Sequence, residues 1–118
     1  MTTMFKIRTL NSIAVAGLDR LPRDRYEVAS EIARPEAILL RSFKMHDMQL
    51  PESLLAVGRA GAGTNNIPVP KLSKLGVPVF NTPGANANAV KELVIAGLLM
   101  AARNLPQGLD YVRGLKLS

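Results

Sequence analysis

Short apolar runs alternate with helix-like segments along this 118-residue chain, and that alternation restricts the fold more than any other feature. Five runs predict strands: Phe5–Leu10, Tyr26–Ala29, Ala37–Leu40, Leu54–Val57 and Val77–Phe80. The third and fourth runs are apolar throughout, as strands covered on both faces are. Strands separated by helices form βαβ units, whose right-handed crossovers produce a parallel sheet. We therefore predict an α/β fold with a flavodoxin-like parallel sheet.

Two further segments predict helices, and a proline indicates the place of the fifth strand. Residues 70–75 begin with proline and are followed by glycine, the asymmetry usual at the two ends of a helix. Residues 88–104 carry apolar side chains at helical spacing, with Asn88 as the N-cap and Pro106 as the stop. Pro78 favours an edge position for the fifth strand, because proline donates no ladder hydrogen bond.

The composition restricts the function classes. Fifteen Lys and Arg residues against nine Asp and Glu residues give a net charge of +6. The basic residues are scattered and only 4% of the residues are aromatic, so we expect no nucleic-acid partner. The chain has no Cys for a disulfide or a zinc–thiolate site, and we expect its only histidine, His46, to be a solvated loop residue. We therefore expect no metal site.

No segment suggests a membrane partner. The apolar run Leu93–Ala102 is shorter than the roughly 20 residues that cross a bilayer. The N-terminal sequence MTTMFKIRTL lacks the apolar core of a signal peptide. We therefore expect a cytoplasmic protein that does not insert into a membrane.

A glycine-rich segment follows the fourth predicted strand, at the edge of the sheet where ligands of parallel α/β proteins bind. It reads GRAGAGTNN over residues 58–66. It fails as a complete dinucleotide fingerprint, because Asn66 takes the place of the third glycine and no helix follows directly. Its backbone N–H groups suit a carboxylate or a phosphate. A turn whose glycines relieve backbone strain and bind nothing is the alternative.

Polar side chains follow the neighbouring strands. Arg41 and Ser42 come directly after the third strand, and Arg59 ends the fourth. A guanidinium matches carboxylates and phosphates with two parallel donors, and two arginines at adjacent strand ends would converge on one small anion. Asn86 and Asn88 either cap the long helix or present an amide to a ligand. The residue pattern alone therefore predicts an anion-binding α/β domain, with ordinary surface arginines as the alternative.

Two segments that contain these loops resemble the NAD-dependent D-2-hydroxyacid dehydrogenase family. They are VGRAGAGTNNI at residues 57–67 and GVPVFNTPGAN at residues 76–86, within a likeness that covers nearly the whole chain. The resemblance implies that residues 1–82 belong to a substrate domain. It implies that residues 83–118 begin a Rossmann cofactor domain, with its long helix and dimerisation region. The catalytic residues would then lie beyond Ser118, so we expect no dehydrogenase activity from these 118 residues alone.

The resemblance also implies roles for single residues. The implied substrate-binding positions are Arg41, Ser42, Arg59, Gly61, Gly63 and Asn86. The implied cofactor position is Ala62, near the nicotinamide of NAD. The likeness is greatest to the branch that transfers a hydride between NAD and 3-phosphoglycerate, at the first step of serine biosynthesis. Such a substrate carries about three negative charges, which two arginines would match.

Two alternatives stay open at the level of sequence. The chain could belong to another D-2-hydroxyacid dehydrogenase, such as a hydroxypyruvate or glyoxylate reductase. It could also be an anion-binding or interaction domain without enzymatic activity. If the chain belongs to a dehydrogenase of this family, whichever its substrate, the expected partners are a small 2-hydroxy acid and a second copy of the chain in a homodimer or a higher homo-oligomer.

Overall fold

The computed structural model describes residues 3–115, which form five strands and four helices. The strands are β1 (Phe5–Leu10), β2 (Tyr26–Ala29), β3 (Ala37–Leu40), β4 (Ala56–Arg59) and β5 (Val79–Phe80). The helices are α1 (Val15–Leu18), α2 (Val69–Lys74), α3 (Ala87–Ala102) and α4 (Leu105–Gly114). The first three strands have the predicted bounds, and the fourth and fifth begin two residues later than predicted.

All five strands are parallel and lie in the order β2-β1-β3-β4-β5. This is the flavodoxin-like order, so the predicted fold class is confirmed. β5 lies at an edge of the sheet, as Pro78 indicated. The carbonyl of Pro78 still accepts a hydrogen bond from the Val57 N–H at 3.0 Å, so the proline joins the sheet through the group that it retains.

The apolar runs before β4 and β5 include core residues that belong to loops. Leu54 is buried, but its N–H donates to the Pro51 carbonyl at 3.1 Å in a turn. Val77 is also buried, and its N–H donates to the Leu72 carbonyl at the end of α2. The apolar runs begin before the strands because they also include loop residues that are buried in the core.

The main core covers one face of the sheet and anchors the loops at its carboxyl edge. Ile38, Leu40 and Val57 are fully buried and belong to one apolar cluster. Met45 from the loop after β3 and Ile67 from the loop after β4 join the same cluster. Both loops are thus attached to the core by buried side chains, which restrains the chain between these anchors and the strand ends.

The chain divides into two compact units, one ending at Pro83 and the other beginning at Gly84. The second unit contains α3 and α4, which contact each other. Each residue of α3 is described, and none is buried. Its exposed large apolar side chains are Val90, Leu93, Val94, Ile95, Leu98, Leu99 and Met100. Within residues 3–115, no helix has the length and apolar content needed to cross a bilayer.

The predicted ends of the long helix are wrong in detail. Asn86, rather than Asn88, occupies the N-cap position, and its side chain makes no capping hydrogen bond. Asn88 instead donates from Nδ2 to Glu92 Oε1 at 3.0 Å. The helix ends at Ala102 before a left-handed residue, and Pro106 lies in the first turn of α4 rather than stopping α3. Proline suits that turn, where its missing N–H has no intrahelical acceptor.

Leu40→Ala tests the core that anchors the two loops. Leu40 is 0% exposed, so the truncation should lower the free energy of unfolding by about 2–5 kcal/mol. Urea denaturation followed by circular dichroism measures the change. Leu55→Ala is the matched control, since Leu55 is 60% exposed and its truncation should change stability by about 0.5 kcal/mol or less. Equal effects of the two substitutions would contradict the described core.

Candidate functional site

The loops after β3 and β4 lie side by side at the carboxyl edge of the sheet. We call residues 41–48 the β3 loop and residues 60–66 the Gly-rich loop. The Ala60 N–H donates to the Leu40 carbonyl at 2.8 Å, which extends the pairing of the two strands into the loops. The Met45 N–H donates to the Asn66 carbonyl at 2.9 Å, and His46 Nε2 lies 2.8 Å from the Asn65 carbonyl. The two loops are therefore connected along their length.

Asn66 connects these loops through its side chain as well. It is 9% exposed and is the one buried polar residue in the described part of the chain. Its Nδ2 donates to the carbonyls of Arg41 and Phe43 at 2.9 and 2.8 Å. Its Oδ1 accepts from Arg59 Nη1 at 2.6 Å. The amide thus uses both of its donor hydrogens and its acceptor, and joins the ends of β3 and β4.

Arg59 is bound inside the Gly-rich loop. Its Nη1 donates to the Gly63 carbonyl and to Asn66 Oδ1, and its Nε is buried without a hydrogen-bond partner among the described residues. Arg41, by contrast, is exposed. The predicted role of Arg59 in substrate binding stays a prediction, but the structure gives its guanidinium a second task, which is to hold the loop around it.

The glycines of this loop leave room for the guanidinium. A Cβ at Gly61 would lie 3.0 Å from Arg59 Nε, and a Cβ at Gly63 would lie 3.4 Å from Arg59 Nη1. Neither glycine has a positive φ; the glycines of the described residues that do are Gly76 and Gly84. Relief of backbone strain, the alternative explanation for this loop, is therefore not what the structure shows. The close approach of a side chain explains the glycines.

In the Gly-rich loop the backbone carbonyls and the backbone N–H groups differ in whether they have partners in the protein. Every carbonyl from Gly61 to Asn66 accepts a hydrogen bond from a described residue. The donors, in order, are Thr82 N, Asn81 Nδ2, Arg59 Nη1, Ile67 N, His46 Nε2 and Met45 N. None of the N–H groups of residues 61–66 donates to a described residue. Residues 61–66 thus have their carbonyls bound within the protein and N–H groups that donate to no described residue, an arrangement that suits an anion.

The other predicted site residues lie in two places. Arg41 and Ser42 are exposed at the start of the β3 loop, and Ala62 is exposed in the Gly-rich loop. Asn86 is exposed at the start of α3, in the second unit. His46 is exposed, as expected, but it also contacts the Gly-rich loop. Among residues 3–115 there is no cluster of three or more His, Asp or Glu side chains that could hold a metal ion.

Sequence reasoning missed the contribution of Asn66. In the motif this residue stands where a dinucleotide fingerprint would have its third glycine, so it counts there only as a departure. Its three side-chain partners lie 7 to 25 residues away in sequence. The one local signal is a polar amide placed directly before the apolar Ile67, at the point where the chain returns to the core.

Gly61→Ala tests the close approach of Arg59 to the loop. The new Cβ should displace the guanidinium and lower the free energy of unfolding by about 1 kcal/mol or more. The Arg59 Nε–H signal in a ¹⁵N NMR spectrum should shift as well. Gly17→Ala is the matched control, since a Cβ at Gly17 would meet nothing within 4 Å and should be neutral or stabilise by about 0.4–1 kcal/mol. An unmoved Arg59 signal in the Gly61 variant would contradict the described packing.

Known proteins share this arrangement of sequence and fold. The sequence profile described as "D-isomer specific 2-hydroxyacid dehydrogenase, catalytic domain" matches residues 6–104. A D-3-phosphoglycerate dehydrogenase of Archaeoglobus fulgidus is 38% identical over 86 residues, which cover 70% of this chain and 16% of that protein. One of Synechocystis is 31% identical over 127 residues, which cover 97% of this chain and 23% of that protein.

A solved structure supports the same relationship. The crystal structure of the NAD⁺-bound 3-phosphoglycerate dehydrogenase of Entamoeba histolytica matches with a TM-score of 0.70 and 25% identity, over 83% of this chain and 39% of that one. The present chain therefore spans well under half of the length of the relatives that it matches. The family profile nevertheless covers most of the chain, including both loops of the candidate site. The chain belongs to the D-isomer specific 2-hydroxyacid dehydrogenase family.

Proposed function

We propose that this chain contributes the substrate-binding part of an NAD-dependent D-3-phosphoglycerate dehydrogenase. The observation that carries the proposal is the Gly-rich loop, whose six carbonyls from Gly61 to Asn66 are bound within the protein while the N–H groups of the same residues donate to no described residue. Similarity to D-3-phosphoglycerate dehydrogenases of several organisms supports the choice of substrate. The reaction is the transfer of a hydride between NAD and the 2-hydroxy acid.

The backbone N–H groups of Gly61, Ala62 and Gly63 would bind the substrate carboxylate. Hydrogen bonds to an ionised acceptor are short and strong. The carbonyls of the same residues are already held by Thr82, Asn81 and Arg59, so the donors need little reorganisation when the anion arrives. The positive charge of Arg59, fixed within the loop, adds to the attraction.

Arg41 and Ser42 would bind the phosphate. Both are exposed at the end of β3, and the β3 loop that they begin is attached to the Gly-rich loop. A phosphate contributes about −1.5 to −2 charges near pH 7, which a guanidinium matches with two parallel donors. The spacing of the two loops would then have to match the distance between the carboxylate and the phosphate of one ligand. The predicted role of Asn86 in substrate binding stays a prediction.

The residues present fit one edge of a nicotinamide. Ala62 is exposed and has a small side chain, so the loop leaves room for a flat ring beside the substrate. NAD supplies the hydride acceptor for oxidation of the 2-hydroxy acid. The Gly-rich loop does not fit the pyrophosphate of NAD, because Asn66 is committed to internal hydrogen bonds and α2 begins only at Val69. We place the pyrophosphate site, and the group that moves the substrate proton, outside this loop.

Arg41→Gln in the 118-residue chain tests the substrate assignment. We expect the chain to bind 3-phosphoglycerate and the substitution to raise the dissociation constant about tenfold or more, because it removes a charged bidentate contact. The dissociation constant for D-glycerate, which lacks the phosphate, should change less than about threefold. ¹⁵N NMR titration measures both constants and should show the largest shifts at the N–H groups of residues 61–63.

Arg34→Gln is the matched control for this experiment. It removes the same charge from an exposed residue that precedes β3, at the opposite end of that strand from Arg41. It should leave both dissociation constants within about twofold, as expected for a distant exposed charge. Equal affinity for the two acids would indicate that the substrate is a 2-hydroxy acid other than 3-phosphoglycerate. Binding that leaves residues 61–63 unshifted would overturn the proposed site.

A homodimer is part of the proposal, and the second unit supports it. The exposed apolar side chains of α3 lie all around that helix, a pattern typical of helices that are covered by other protein. A second copy of the chain is a partner that is always present with it. We retain a cytoplasmic location as the expected setting of the reaction.

Substitution of α3 tests the assembly. Sedimentation velocity over a wide concentration range should show self-association of the unchanged chain. Leu93→Lys together with Leu98→Lys should shift the chain toward monomer, because both side chains are exposed on α3 and would place charges in the covered face. Leu55→Lys, at an exposed leucine of the first unit, is the control and should leave the association unchanged. A monomer at every concentration would contradict the proposal.

A further inference from the structure

We infer that Asn66 is a positioning residue, which fixes the distance between the Gly-rich loop and Arg41 so that one ligand bearing two anionic groups reaches both. The inference rests on the proposed function and assigns a task to a residue that touches neither anion. It starts from the burial of Asn66 and from the three hydrogen bonds that its side chain makes.

The hydrogen bonds of Asn66 hold both halves of the proposed site. The bond from Nδ2 to the Arg41 carbonyl restrains the backbone from which the Arg41 side chain extends. The bond from Arg59 Nη1 to Oδ1 restrains the guanidinium around which the Gly-rich loop is folded. One planar amide therefore relates the proposed phosphate ligand to the proposed carboxylate ligand. A small change in the distance between these two groups weakens the binding of a ligand that must contact both.

Only an amide of this length meets the requirements of the position. Asn66 donates to two carbonyls and accepts from one guanidinium, at distances between 2.6 and 2.9 Å. An aspartate would keep the acceptor for Arg59 but would place a carboxylate oxygen against the carbonyls of Arg41 and Phe43. An alanine would leave those carbonyls and the guanidinium without this partner. Buried groups that lose a partner are costly, so either change should move the loops apart.

The fold itself has other connections at this place. The Asn66 carbonyl accepts from the Met45 N–H, a backbone bond that any residue can make. Met45 and Ile67, on the two sides of this contact, are both buried in the main core. The side chain of Asn66 can therefore be removed while the loops stay attached to the core. We expect a loss of alignment within the site rather than a loss of the fold.

Binding of one-group and two-group ligands separates alignment from folding. The experiment uses the 118-residue chain, with 3-phosphoglycerate and inorganic phosphate as the two probes and ¹⁵N NMR titration as the measurement. Asn66→Ala should raise the dissociation constant of 3-phosphoglycerate about tenfold or more. It should change the dissociation constant of inorganic phosphate, which needs only Arg41 and Ser42, by less than about twofold. Without ligand, the N–H signals of residues 41–43 and 61–63 should already differ from those of the unchanged chain.

Asn65→Ala is the matched control. Asn65 is exposed and its side chain makes no hydrogen bond with the described residues, so both dissociation constants and the unliganded spectrum should change little. If Asn66→Ala fails to fold by circular dichroism, Asn66→Asp takes its place. The aspartate has the same shape and keeps the acceptor for Arg59, and it should show the same selective loss of 3-phosphoglycerate.

The outcomes distinguish the inference from the function on which it rests. If the unchanged chain binds 3-phosphoglycerate and an Asn66 variant binds it equally well, the positioning role is overturned and the proposed function stands. If an Asn66 variant loses both probes in equal measure, the residue maintains the fold and does not align the site, which also overturns the inference. If the unchanged chain binds neither probe, the proposed function fails and the inference fails with it.

Discussion

The parallel pairing of β3 and β4 is the constraint on which the candidate site depends. In the register of these strands Leu40 lies beside Arg59, so both strands end at the same edge of the sheet. A parallel pair places the loops that follow its strands next to each other, whereas an antiparallel pair would place them at opposite edges. The side chains of Ile38 and Val57, fully buried on one face, fix this register. Contact between the β3 loop and the Gly-rich loop follows from it.

The Gly-rich loop makes this adjacency suitable for the proposed anion site, because its carbonyl groups are directed into the protein. Peptide groups in a loop tend to find partners for both their N–H and their carbonyl sides. In this loop the carbonyls of residues 61–66 all have partners in the protein, contributed by the β3 loop, by the residues that follow β5 and by Arg59 and Ile67 on either side of the loop. The N–H side is then the one available to a ligand. The proposed affinity of the loop for an anion therefore comes from the orientation of its peptide groups rather than from an acidic or basic side chain within it.

How much the sequence predicts depends on how local the determining contacts are. β1 has its predicted bounds, and all of its residues pair with β2 or β3. The start of β4 does not, because Leu54 is apolar for its place in the core while its backbone forms a turn. The position of Arg41 in the candidate site follows from its place directly after a predicted strand, and the positions of the glycines follow from the glycine-rich motif. The bonds of Asn66 do not, because they join segments far apart in sequence.

The two arginines at adjacent strand ends illustrate how equal residues acquire different tasks. The sequence pattern gives Arg41 and Arg59 the same interpretation, as donors to one anion. In the structure Arg41 is exposed, whereas the Arg59 guanidinium is held by Asn66 and by the Gly63 carbonyl. A charge held in place attracts an anion without having to be ordered on binding, while an exposed guanidinium loses side-chain entropy when it binds. The half-buried Arg59 is therefore suited to preorganising the loop, and the exposed Arg41 to selecting the ligand.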